Sequence, residues 1–205
     1  MKWIAQWIAD AFKEAEKAMK PSGKKVFINI GHGKKPGRHD PGAVHAGTGK
    51  TEYDLNVIAA NACKAFLEGK GHSVTLGGNE GGNYAGGKLA RGHDVGVSLH
   101  HNSAVASAQG SECLYHRRKH TAEDIALSGM IAGELATELG IRNRGAKSLG
   151  ASVLSGMKDV GVPVAVLPEL YFIHEQPNNP DPAVFEEWSK RGGEAVGRAI
   201  HEYLS

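Results

Sequence analysis

The sequence predicts an α/β fold: a twisted, largely parallel or mixed sheet of about five to six strands, with helices on both faces. Short apolar runs bounded by glycine alternate along the chain with longer segments whose apolar residues recur every three or four positions. The length of 205 residues fits a single domain, and 40% hydrophobic with 22% charged residues is ordinary for a globular protein.

Charge and cysteine content exclude several classes of protein. A net charge of +2 gives no reason to expect nucleic-acid binding. The two cysteines, Cys63 and Cys113, cannot form a disulfide framework, and no apolar run approaches the length of a transmembrane helix. The 11 histidines direct attention to metal binding and to proton transfer at neutral pH.

Residues 2–19 are predicted to form an amphipathic helix, because their apolar residues recur at helical spacing. We expect a segment over 1–22 to precede a single domain over 23–205. The helix either packs on its own domain or makes peripheral contact with a membrane or partner. Gln6 and Asp10 interrupt the apolar stretch and no cleavage site follows, so we expect no signal peptide and synthesis in the cytoplasm.

The first half of the chain is predicted to hold two strands and one helix. A strand over 25–31 is followed by a loop of about 20 residues, a length that often carries function. Thr51 is positioned to cap a helix over 52–69. A strand over 73–76 comes next, and the glycine-rich residues 77–87 are expected to form a loop.

The second half is predicted to contain strands 95–101, 111–116 and 162–169 and helices 121–139 and 183–203. Asp124 is placed for a capping box at the start of the first of these helices. Two prolines, Pro163 and Pro168, favour an edge position or a strand end for the last strand. Residues 141–161 are rich in glycine and show no helical stripe.

Polar residues follow the predicted strands at their carboxyl ends, where ligands bind in open α/β sheets. His32 follows the first strand, His100 ends the strand over 95–101, and Glu169 ends the last strand. Glu52 begins a helix that returns to this edge, and it continues the buried stripe of that helix, so its carboxylate needs a partner. The sequence therefore brings two histidines and two glutamates to one edge of the sheet.

Two histidines and one carboxylate are a sufficient ligand set for a catalytic zinc ion, and a further carboxylate nearby can act as a general base. Each residue also has an ordinary structural interpretation. His32 can be a turn residue, Glu52 a helix-dipole carboxylate, His100 a core histidine and Glu169 the partner of an arginine. No His-Glu-x-x-His motif is present, so the spacing alone leaves both interpretations open.

Eight short motifs follow one another over roughly residues 25–203: Ile28–Gly33, Asp40–Ala43, Glu52–Asn56, Gly71–Leu76, Asp94–Ser103, Gly110–Tyr115, Arg144–Lys147 and Val164–Ile173. In this order they resemble the zinc-dependent N-acetylmuramoyl-L-alanine amidases of the type 3 family, which cut peptidoglycan. Any one motif is modest, whereas the ordered set is specific.

The resemblance implies that His32, Glu52 and His100 hold one Zn²⁺ ion and that Glu169 is the catalytic carboxylate. It implies cleavage of the amide between N-acetylmuramic acid and the L-alanine of the peptide stem by zinc-activated water. The family pattern at the second histidine is serine, aliphatic residue, histidine, any residue, asparagine, which selects His100 over its neighbour.

Two further residues, Asn102 and Arg144, are candidates for contact with the substrate. The chain departs from the family at residues 77–82, where glycine, asparagine and glutamate replace an arginine and an aspartate, and this puts substrate positioning in doubt. Pro168 stands where an aliphatic residue is usual. Since residues 141–161 show no helical stripe, we expect an open site without the helix that blocks the zinc of regulated periplasmic members.

The organisation of the chain, without a signal peptide or a separate wall-binding domain, predicts a monomeric bacteriophage endolysin that lyses cells, reaching the wall after release from the cytoplasm. A host amidase is the competing origin. Two other functions stay open: a zinc carboxypeptidase or peptidase acting on peptidoglycan stems, for which Arg144 would hold a free carboxylate, and a wall-binding module without catalysis.

Overall fold

The computed structural model describes residues 23–104, 108–173 and 181–205. The helix predicted over 2–19, and with it the segment 1–22, lies outside the described residues. Among the helices that are described, none is long and apolar enough to cross a membrane.

Six strands form the main sheet: β1 (Lys25–Ile30), β4 (Ser73–Gly77), β5 (Val95–Asn102), β6 (Ser111–His116), β7 (Asn143–Leu149) and β8 (Val164–Phe172). Their order is β4-β1-β5-β8-β6-β7. The first four of these are parallel, whereas β6 is antiparallel to β8 and parallel to β7. The prediction of a largely parallel or mixed sheet is confirmed. The long loop after β1 holds a small antiparallel ribbon of β2 (Gly33–Lys35) and β3 (Arg38–Asp40).

In the described part of the chain, five helices cover the sheet: α1 (Glu52–Gly69), α2 (Asn83–Lys88), α3 (Ala122–Leu139), α4 (Ser152–Asp159) and α5 (Phe185–Leu204). The larger core lies on the face covered by α1, α3 and α5, and the smaller core lies on the face covered by α4. Helix α2 packs against α4. Both faces of the sheet are therefore covered, as the alternating pattern predicts.

The starts of two helices follow their capping residues. The Thr51 hydroxyl accepts a hydrogen bond from the Asp54 amide at 3.1 Å, so α1 begins at Glu52 as predicted. Thr121 and Asp124 form the predicted capping box at α3. The Asp124 carboxylate also accepts a hydrogen bond from the Ala165 amide at 2.6 Å, which ties α3 to the central strand β8.

The expectations of a loop over 77–87 and of no helix over 141–161 are wrong. Helices α2 and α4 lie there, and their glycines explain both the weak sequence signal and the packing. A Cβ atom at Gly87 would lie 2.0 Å from the Val153 carbonyl oxygen, and one at Gly156 would lie 2.2 Å from the Tyr84 carbonyl oxygen. Glycine disfavours an isolated helix, but here it lets two helix backbones touch.

The edge position suggested for the last strand is also wrong, because β8 lies between β5 and β6. Pro163 precedes the strand, and Pro168 is inside it, paired with Cys113 of β6. A proline removes one backbone donor only, so the remaining residues of β8 still pair with both neighbouring strands.

Candidate metal centre

The turn after β1 presents His32 in an unusual backbone conformation. Its φ of 65° is in the left-handed region, and it is the one non-glycine residue with a positive φ among the described residues. Gly31 just before it donates its amide to the Leu99 carbonyl at 3.1 Å, so the turn stays attached to β5. A side chain held in this sparsely populated conformation is typical of a functional site.

Three of the predicted site residues come together at the carboxyl ends of β1 and β5. Nε2 of His32 lies 3.0 Å from Oε2 of Glu52, and Nδ1 of His100 lies 2.9 Å from Oε1 of Glu52. One ligand atom from each of the three residues lies within 4.8 Å of the others. The structure thus joins in one cluster residues from the turn, helix α1 and strand β5.

Two glycines let the backbone pass close to the side chains of the cluster. A Cβ atom at Gly31 would lie 2.5 Å from the His100 ring, and one at Gly42 would lie 2.6 Å from Oε2 of Glu52. Two imidazole nitrogens and one carboxylate oxygen are the donor set of many catalytic metal sites. The residues present therefore fit a metal ion.

Glu52 is only 4% exposed, and both of its carboxylate oxygens have polar partners. Besides the two histidines, it accepts hydrogen bonds from the amides of Ala43 at 3.1 Å and His101 at 3.2 Å. Burial raises the pKa of Glu52, but the hydrogen bonds from His100 and His32 outweigh it and hold the pKa well below its usual range. A buried negative charge in this position favours a bound cation.

Asp40 orients His32, a role that the sequence does not predict. Nδ1 of His32 lies 3.0 Å from Oδ2 of Asp40, which turns Nε2 toward Glu52. Lys35 and the amide of Gly42 also bind the Asp40 carboxylate. Carboxylate–histidine pairs of this kind commonly support metal ligands. The Asp-Pro-Gly sequence at 40–42, eight residues after His32, is the signal that could have found it.

Glu169 lies beside the cluster in a row of side chains that crosses three strands. Its backbone pairs with His100 on one side and with Glu112 on the other. Its Oε2 atom is buried and has no hydrogen-bond partner among the described residues. Burial raises the pKa of Glu169 well above its usual range, and the charges of Glu52 and Glu112 add to the effect.

Both residues predicted to contact the substrate are bound to Glu112. Nε of Arg144 and Nζ of Lys147 each lie 2.5 Å from Oε2 of Glu112, and the Asn102 amide donates to its Oε1 at 3.1 Å. The guanidinium of Arg144 also stacks on the Phe172 ring, 5.1 Å from its centroid. Two cationic side chains thus bind Glu112, whose backbone pairs with that of Glu169.

The helix found at 152–159 does not cover the cluster. Helix α4 packs in the smaller core with Leu167, which lies two residues before Glu169 in β8. The side chains of His32 and His100 remain 23% and 17% exposed. On the other flank of His32, a cavity of about 220 Å³ extends to Tyr53, Leu76 and the loop after β4. Within the described residues, both histidines of the cluster therefore keep part of their side chains at the surface.

The neighbour of His100 has a different environment. His101 is 2% exposed and faces the larger core, where its Nδ1 lies 2.7 Å from the Asn56 side-chain oxygen and its Nε2 lies 3.0 Å from the Ser189 hydroxyl. Burial lowers its pKa to about 3. The imidazole of His101 is thus neutral and engaged in structural hydrogen bonds.

The fold and the cluster define an α/β protein with three side chains at the carboxyl edge of its sheet that fit a metal ion. Residues 26–202 match the N-acetylmuramoyl-L-alanine amidase family, and the chain belongs to that family. It is therefore an amidase, a hydrolase acting on peptidoglycan.

Several relatives have been found. YqiI of Bacillus subtilis, an uncharacterised protein, is 30% identical over 92% of this chain and 89% of its own length. The structure is similar to that of an N-acetylmuramoyl-L-alanine amidase from Clostridium difficile 630, with a TM-score of 0.74, 24% identity and coverage of 89% and 97% of the two chains. It is also similar to the catalytic domain of the CD27L endolysin targeting Clostridia difficile, with a TM-score of 0.67, 22% identity and coverage of 88% and 96%. These structural likenesses establish the fold.

Proposed function

We propose that the protein is a zinc-dependent N-acetylmuramoyl-L-alanine amidase that hydrolyses the amide between N-acetylmuramic acid and the L-alanine of the peptide stem. The observation that carries the proposal is the convergence of His32, Glu52 and His100, with ligand atoms within 4.8 Å of one another. Two histidines and a glutamate are a donor set suited to one Zn²⁺ ion with an open coordination position.

The chemistry is divided between the ion and Glu169. When bound, Zn²⁺ supplies Lewis acidity, which lowers the pKa of water and polarises the scissile carbonyl. Glu169 accepts the proton that water loses as its oxygen adds to the carbonyl carbon, and then gives that proton to the nitrogen of L-alanine as the C–N bond breaks. A carboxylate whose pKa is raised by burial is suited to both steps, since its protonated form is less costly than for an exposed glutamate.

The contacts of Arg144 argue against the alternative function, a carboxypeptidase or another peptidase that acts on peptide stems. Such an enzyme needs a cation to bind a free substrate carboxylate, whereas Arg144 is paired with Glu112 and stacked on Phe172. This arrangement favours the amidase. Asn102 donates a hydrogen bond to the same glutamate, and its contact with the substrate stays a prediction.

Analysis of digestion products tests the proposal. Purified peptidoglycan treated with the zinc-loaded protein is expected to gain new amino termini on L-alanine. A new carboxyl end within the stem would support the peptidase instead, and binding to sacculi without release of soluble fragments would support a wall-binding module. Full activity after chelation of the metal, without zinc being added back, would contradict the zinc dependence.

We further infer a role in cell lysis, as a monomeric endolysin made in the cytoplasm and acting on the wall after release. The similarity to the fold of an endolysin catalytic domain supports this role. The predicted helix over 2–19 would then make peripheral contact with the membrane. Deleting residues 1–21 tests this contact: unchanged stability with reduced killing of whole cells is expected, and loss of folding would contradict it.

A further inference from the structure

Three consecutive backbone carbonyls in the turn that carries His32 are each bound by a buried asparagine. The Asn79 side-chain amide donates to the carbonyls of Ile30 and His32, both at 3.1 Å. The Asn56 side-chain amide donates to the carbonyl of Gly31 between them, also at 3.1 Å. Asn79 is 2% exposed and Asn56 is fully buried.

These hydrogen bonds act on the one described non-glycine residue with a left-handed φ. An L residue adopts this conformation only when its surroundings favour it over the alternatives. In this turn the side chain of His32 points toward Glu52, so the bound carbonyls help to fix the direction of a proposed metal ligand.

The orientation of Asn79 is itself set by a chain of donors. The Ser98 hydroxyl donates to the Asn29 side-chain oxygen at 2.8 Å, and the Asn29 amide donates to the Asn79 side-chain oxygen at 3.2 Å. The amide nitrogen of Asn79 is thereby directed to the turn. Ser98 is two residues before His100 in β5, and Asn29 lies in β1, three residues before His32. These hydrogen bonds therefore link the two strands that lead to the histidines.

The glycine of helix α2 that lies behind this network leaves no space for a longer side chain. A Cβ atom at Gly86 would lie 2.4 Å from the Asn79 side-chain oxygen and 3.2 Å from the Asn29 amide nitrogen. Asn79 is therefore enclosed in a pocket that fits its size, within the loop 77–82 that departs from the family pattern.

We propose that Asn79 is a positioning residue for the metal ligand His32, and that it raises the affinity of the site for zinc. The proposal rests on the zinc dependence proposed above. Asn79 does not touch the ligand atoms and acts through the backbone of the turn. Residues that support metal ligands in this way commonly change metal affinity by about 10- to 100-fold.

The test is the zinc dissociation constant of Asn79→Ala, measured by competition with a chelator, together with the melting temperature of the metal-free protein. We expect zinc affinity to fall by about 10- to 100-fold. Leu135→Ala, a core substitution on the opposite face, serves as the control: it lowers the melting temperature and leaves the zinc affinity unchanged. Zinc binding by Asn79→Ala equal to that of the wild type would overturn the proposal.

A second variant keeps the test decisive if Asn79→Ala does not fold. Ser98→Ala removes only the first donor of the chain, and we expect a smaller loss of zinc affinity in the same direction. Unchanged affinity in this variant would contradict the proposal. If the wild type itself binds no zinc, the proposed zinc dependence fails. If the wild type and both variants bind zinc with equal affinity, the zinc dependence stands and the role of Asn79 fails.

Discussion

The two flanks of the proposed metal centre differ in whether their carboxylate oxygens have hydrogen-bond partners. Both oxygens of Glu52 have partners, from two imidazoles and two backbone amides. One oxygen of Glu169 is buried without a partner in the described part of the chain. The pKa is held low for Glu52, in spite of burial, and raised for Glu169 because of it.

This difference separates two tasks that the same side chain can perform. A carboxylate that is ionised and fixed by several donors is suited to hold a cation in one position. A carboxylate whose ionised form is destabilised by burial is suited to carry a proton. The residues that hold the turn and the ring of His32 follow the same division. Asp40, Asn56 and Asn79 all lie on the flank of Glu52 and His32.

The largest effect on zinc affinity is expected from removing a ligand. His100→Ala should weaken zinc binding by more than about 100-fold, since second-sphere changes alone commonly cost 10- to 100-fold. His39→Ala is the matched control, because its ring packs on Tyr53 outside the cluster. Zinc titration of both variants measures the effect, and equal affinity in the two would remove His100 from the ligand set.

Asp40→Asn tests the support of His32. The substitution keeps the size of the side chain but removes the charge that binds Nδ1, so zinc affinity should fall by about 10- to 100-fold. The measurement is chelator competition at constant pH. An affinity unchanged from wild type would show that Asp40 serves only its contacts with Lys35 and Gly42.

The buried His101 below Glu52 makes folding depend on pH. Its pKa is about 3 in the folded protein and about 6.5 in the unfolded chain, so only the unfolded chain binds this proton between these pH values. The free energy of unfolding should therefore fall by up to about 1.4 kcal/mol for each pH unit of acidification in this window. Denaturant unfolding with a chelator present should show a shallower dependence for His101→Gln, and an identical slope would contradict the assignment.

The smallest effect is expected from Glu112→Gln on the other flank. Glu112 is one of the charges that raise the pKa of Glu169, so its neutralisation should lower that pKa. Because Glu169 must be ionised to accept a proton, the acidic limb of the kcat/KM profile should move to lower pH. A shift to higher pH would indicate that the released Arg144 and Lys147 disturb the site instead.

Helices and strands that are specified by residues close together in the chain can be predicted from the sequence. Thr51 fixes the start of α1, and the helical stripe of that segment places Glu52 among buried residues, as observed. Helix α4 escapes prediction because Gly156 has poor helix propensity and is explained only by the backbone of α2 that it touches. The role of Asn79 is likewise invisible in a glycine-rich segment, since its partners are 47 and 49 residues away.

The division between a carboxylate that holds the ion and one that carries the proton is tested most directly by Glu169→Gln. Zinc content and turnover of peptidoglycan are measured on the same purified protein. We expect one zinc per chain, as in the wild type, with turnover reduced by about 10²- to 10⁴-fold, the usual contribution of a general base. Near-normal turnover, or loss of the zinc together with the activity, would contradict the account.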